Sequence, residues 1–95
     1  SRVIREAFTD APKARFLLHA GDLINEANHD SEWGEWFGAG HWLNAMIPNV
    51  ATPGNHEYAR RGIKPGISAH WRPQFELPTN GPEGLEESAY WFDIQ

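Results

Sequence analysis

Cysteine is absent from this chain of 95 residues, which excludes disulfides, thiolate zinc sites and cysteine nucleophiles but says nothing firm about compartment. Positive charge is scarce. Eight Lys and Arg stand against thirteen Asp and Glu, a formal charge of −5, so no broad basic surface is available for extended nucleic-acid binding. An anionic substrate would have to be captured by a local positive centre. No apolar run is long enough to cross a membrane, and the opening Ser1-Arg2-Val3-Ile4-Arg5-Glu6 has no signal-peptide core. The chain therefore reads as soluble, with a removed targeting segment left open. Repeats and low-complexity tracts are also missing. Aromatic bulk is plentiful: five tryptophans give a small chain unusual packing material.

The periodicity predicts an α/β order of elements. Ile4 and Phe8 lie one helical turn apart and place a helix over 2–9, stopped by Asp10-Ala11-Pro12. The continuous run Phe16-Leu17-Leu18-His19-Ala20 reads as a buried parallel strand. Asp30 or Ser31 would cap a helix running to about Met46, with Trp33, Trp36, Phe37 and Leu43 close to one face. Gly34, Gly38 and Gly40 weaken it, so packing must hold it. Pro48 ends it and a second strand follows at 49–52. From 58 to 87 the prolines and glycines, Gly62 among them, predict loops and turns. Residues 88–94 are rich in strand formers and read as a third strand.

The chemistry gathers at the two strand tips. The first strand runs into Gly21-Asp22 and the second into Gly54-Asn55-His56-Glu57, at a separation of one βαβ unit. Phosphate esters resist hydrolysis because their anionic oxygens repel hydroxide. Two neighbouring metals relieve this by generating hydroxide at neutral pH and clamping the phosphoryl oxygens. Asp22 suits the bridge between two ions. Asn55 offers a hard, uncharged amide oxygen. His56 is able to ligate metal, or to donate a proton or hydrogen bond to the phosphate or leaving oxygen. Glu57 reads as a partner that orients a ligand.

Gly21-Asp22 followed by Gly54-Asn55-His56-Glu57 resembles the central two motifs of the calcineurin-like metallophosphoesterases. The flanking Phe16-Leu17-Leu18-His19-Ala20-Gly21-Asp22-Leu23 and Phe75-Glu76-Leu77-Pro78 resemble the purple acid phosphatase-like branch. The resemblance implies part of a four-layer α/β/β/α sandwich and hydrolysis of phosphate monoesters or diesters. It implies two metal ions (Fe, Zn or Mn), with Asp22 bridging them, Asn55 binding the second, and His56 as the catalytic group at the phosphate or leaving oxygen. It also favours a secreted or periplasmic setting. Residues 1–95 then correspond to a partial domain that lacks the family's first metal motif and its C-terminal histidine motifs. Where purple acid phosphatases carry an iron-binding tyrosine, this chain has Asn25, so iron–tyrosinate colour is not expected.

Plainer readings stand beside these. A Gly-Asp pair is common in turns, whereas Gly-Asn-His-Glu after a strand is far more specific. His19 reads as a hydrogen-bonded core histidine, His29 and His41 as surface residues, and His70 as a solvated loop histidine. Arg60-Arg61 reads as a solvated turn. Two alternatives to the enzyme are a non-catalytic remnant of the fold and an aromatic-rich binding module, although Trp33 and Trp36 at helical spacing favour core packing. For the chain alone the expectation is little catalysis, with self-association through exposed sheet edges.

Overall fold

The computed structural model describes residues 2–61 and 64–94, apart from the side chains of 60, 61, 64 and 65. Gly62 and the side chains of Arg60 and Arg61 therefore lie outside the description. Helix α1 (Arg2–Asp10) leads to strand β1 (Leu17–His19), then helices α2 (Asp30–Ala39) and α3 (His41–Asn44), and strand β2 (Asn49–Ala51). A 3₁₀ turn, Asn55–Glu57, runs directly into strands β3 (Tyr58–Arg61) and β4 (Lys64–Ile67), and the short helix α4 (Trp71–Gln74) follows.

β1 and β2 pair in parallel, with Leu17, Leu18 and His19 opposite Asn49, Val50 and Ala51. The intervening α2 and α3 make this the expected βαβ crossover. The strand is not buried on both faces, however: Leu18 is 70% exposed and His19 is half-buried. Among the described residues β1 has only β2 beside it, so one face of Leu18 has nothing to pack on. His19 behaves as a satisfied histidine, its Nε2 lying 2.8 Å from Asn49 Oδ1 and its ring edge-on to Trp36.

The long helix expected through Met46 breaks at Gly40, whose φ of −123° and ψ of 18° leave the helical region. Gly40 is buried, and a Cβ there would meet Ile4 Cδ1 of α1 at 3.4 Å, an ordinary van der Waals contact. Neither Asp30 nor Ser31 is the N-cap. His29 holds that position without a side-chain bond, and Glu32 reaches back instead to the N–H groups of Asn25 and Glu26 at 2.7 and 2.9 Å.

Two further expectations fail on tertiary grounds. The stretch from 58 is not simply loop. β3 and β4 form an antiparallel pair with Tyr58 opposite Ile67, and α4 then buries Trp71 completely. Conversely, residues 88–94 form no strand. No strand lies beside them among the described residues, and Asn80 substitutes by bonding both the carbonyl and the N–H of Trp91. The core joins Ile24, Trp33, Ala51, Trp71 and Phe75, with Trp36 and Phe37 packed against it. Trp33 and Trp36 are thus core material. Trp33 meets Trp71 edge-on at 6.4 Å and donates from Nε1 to the Ala27 carbonyl. The molecule is a slab of 45 × 33 × 18 Å.

Candidate metal centre

β1 and β2 end side by side, which brings Gly21-Asp22 against Gly54-Asn55-His56. The approach is made backbone to backbone. A Cβ on Gly21 would lie 2.5 Å from Gly54 N, and one on Gly54 would lie 2.5 Å from Asp22 N and touch the Asp22 carboxylate. Gly21 also has φ of +87°, a conformation that other residues enter only with strain. Asp22 follows at φ of +52°, which aspartate tolerates better than most. Two glycines and a left-handed aspartate therefore turn the first strand tip onto the second.

The contact is specific. Asp22 Oδ1 accepts the His56 backbone N–H at 3.0 Å, linking the two loops directly. His56 Nδ1 lies 2.6 Å from the carbonyl oxygen of Asn25, an acceptor only, so Nδ1 carries the proton and Nε2 is left for other chemistry. That bond raises the His56 pKa above its ordinary 6.5. Partial burial works against the rise, and the carboxylates of Asp22, Glu57 and Glu32 add to it.

Glu57, read as a partner that orients a ligand, reaches the two loops through their main chain. Its carboxylate is fully buried and turned onto the main chain. Oε2 accepts the N–H groups of Asp22 at 2.8 Å and Gly54 at 2.6 Å; Oε1 accepts those of Leu23 at 2.6 Å and, more distantly, Ile24 at 3.4 Å.

Of the three residues expected at the site, Asp22 and His56 line one open groove of about 640 Å³, together with Asn25, Glu32, Glu35 and Trp36. Asn55 is exposed and lines an adjoining groove of about 360 Å³ that His56 also borders. His56 therefore stands between the two. Sequence reading missed the Asn25 carbonyl, for which no signal exists, and Glu32, whose place three residues after the helix cap was a legible one. The other histidines stay away from this groove. His29 pairs with Glu32 at 3.2 Å, His41 is exposed, and His70 is held by Ser68 and Asp30 rather than freely solvated.

Among the described residues, no group of three or more His, Asp and Glu side chains gathers to hold a metal ion. The donors present nonetheless suit one. Asp22 supplies a hard carboxylate oxygen in a cradle that a Cβ at Gly54 would fill, and Asn55 an amide oxygen.

Two strand-tip loops carrying Asp and Asn-His thus meet in a small mixed helix/strand arrangement. The family model described as calcineurin-like phosphoesterase matches residues 2–93. The chain belongs to that family, whose members are metal-dependent phosphoester hydrolases that generally use a dinuclear centre. Comparison with curated proteins and with solved structures gives no match. Among the described residues no helix is long and apolar enough to cross a membrane.

Proposed function

We propose that this chain carries the central part of a dinuclear phosphoesterase site, hydrolysing phosphate monoesters or diesters within a four-layer sandwich of the purple acid phosphatase-like branch. The observation that carries the reading is the bond from the His56 N–H to Asp22 Oδ1, which brings the two motif loops to one groove. Asp22 would hold both ions and Asn55 one of them, the remaining ligands coming from outside residues 2–94. Iron, zinc and manganese all suit oxygen and imidazole donors. The metals would supply positive charge against the phosphoryl oxygens and lower the pKa of water.

The polypeptide's own part centres on His56. With Nδ1 fixed on the Asn25 carbonyl, Nε2 is the atom that can donate to a phosphoryl or leaving-group oxygen. Asn25, in the place of the iron-binding tyrosine, supplies no phenolate, so a colourless centre is expected. Exposed Leu18, Trp91, Phe92 and Ile94 support self-association of the chain when isolated. A secreted or periplasmic setting fits the same branch.

The test is metal content and phosphoesterase activity, on this chain and on a form extended at both ends. Two metals and turnover in the extended form alone would bear out a divided site. In that form Asp22→Asn should lower metal content and activity together. His56→Ala should cut turnover by about a hundredfold or more while leaving metal in place; loss of metal on that change would refute the role of His56.

A further inference from the structure

The Glu57 carboxylate is fully buried. Burying a carboxylate is unfavourable unless hydrogen bonds replace its hydration, so its presence needs a reason. Among the described residues its hydrogen bonds come from backbone N–H groups, and these belong to two separate loops. Asp22, Leu23 and Ile24 lie after β1, whereas Gly54 lies after β2, more than thirty residues further along the chain. The main chain of Glu57 is itself tied down, its carbonyl accepting the Ser68 N–H at 2.9 Å at the end of β4. Through its side chain and its carbonyl, one residue thus joins the Asp22 loop, the Gly54 turn and the end of β4.

We infer that Glu57 is the positioning residue of this site: its carboxylate fixes the separation of the two ligand-bearing loops from beneath, through their backbone. Asp22 Oδ1 and His56 N, at 3.0 Å, meet on the groove side of that clamp. Both carboxylate oxygens are needed, since Oε2 takes one donor from each loop while Oε1 takes two from the first. Replacing either oxygen by an NH₂ group sets donor against donor. Glu57 touches neither metal nor substrate in this scheme; it acts through Asp22 and His56.

The functional consequence rests on the metal-site reading, whereas the clamp is measured independently of it. Amide hydrogen exchange is followed by NMR on the chelator-treated form extended at both ends, for wild type, Glu57→Gln and Tyr90→Phe, and Mn²⁺ binding is measured on the same form. Tyr90→Phe removes an unrelated long-range bond, from the Tyr90 hydroxyl to the Ala51 carbonyl at 2.6 Å. Glu57→Gln should speed exchange at Asp22 and Gly54 by about tenfold or more relative to Tyr90→Phe. It should also weaken Mn²⁺ binding by about tenfold or more in calorimetry, which Tyr90→Phe should not. Wild-type exchange and wild-type Mn²⁺ affinity in Glu57→Gln would overturn the inference. If that variant does not fold, wild type alone decides: protected Asp22 and Gly54 amides support the clamp, and exchange at open-loop rates overturns it. Protected amides in a wild type that binds no Mn²⁺ would refute the metal-site reading and leave the clamp standing.

Discussion

Gly54→Ala is the change for which the structure gives the sharpest prediction. A methyl group at position 54 would lie 2.5 Å from Asp22 N and 2.8 Å from Asp22 Cγ. Gly54 has φ of −92°, so backbone preference does not oppose alanine; the obstacle is the neighbouring loop. Two responses are open. The loops can stay together under compression, at the usual cost of overpacking, about 1–3 kcal/mol. Or they can part, which stretches the 2.6 Å bond from Gly54 N–H to Glu57 and forfeits a charge-assisted contact of about 1.5–3 kcal/mol. These are alternatives rather than additions, and the chain takes the cheaper, so we predict a destabilisation of about 1–3 kcal/mol. Against a total stability of about 5–15 kcal/mol that is a substantial share, and it lowers the unfolding midpoint by about 5 °C or more. The assay is thermal unfolding followed by tryptophan fluorescence, for which the buried Trp33 and Trp71 are suitable reporters. Gly34→Ala is the control. A Cβ there meets nothing within 4 Å, and the position is inside α2, so it should be neutral or stabilise by up to about 1 kcal/mol. A Gly54→Ala midpoint equal to wild type, or an equal drop in Gly34→Ala, would refute the argument that the two loops meet at van der Waals limits.

Glu32 should make the loop before α2 acid-sensitive. Its pKa lies below the ordinary 4.5 because it accepts the N–H groups of Glu26 and Asn25, with a smaller contribution from His29. A depressed carboxylate stabilises the folded chain above its unfolded pKa, and that contribution fades as pH falls through the lowered folded value. Glu32→Gln should therefore unfold earlier than wild type at pH 7, and the gap between their midpoints should close on acidification below about 4.5. A gap constant across that range would count against the cap. Trp71→Ala should remove about 3–5 kcal/mol, since the ring is fully buried on Phe75 at 4.7 Å and its Nε1 donates to the Glu87 carbonyl at 3.0 Å. Near-native unfolding in that variant would show that the core does not depend on α4.

What the sequence determined on its own was local. A glycine before an aspartate at one strand end, and Gly-Asn-His-Glu at another, made two turns with ligand-type side chains legible at βαβ spacing. The strands themselves and α1 followed from apolar periodicity, which depends on near neighbours alone. The family followed too, because its motifs are short and contiguous. What tertiary structure decided were the outcomes that depend on distant partners. Residues 88–94 have strand composition but gain no neighbouring strand, and a strand is defined by its pairing. The pairing of β3 with β4 was hidden by Pro65 and Gly66, although pairing with a partner held both strands in place. Gly40 divides a helix where its φ and ψ leave the helical region, beside Ile4 of α1. The role of Glu57 was equally invisible, since a carboxylate reads as a ligand or a surface charge until its surroundings are known. Only the fold turned it inward, against N–H groups from two loops, where hydrogen bonds take the place of water around a buried charge.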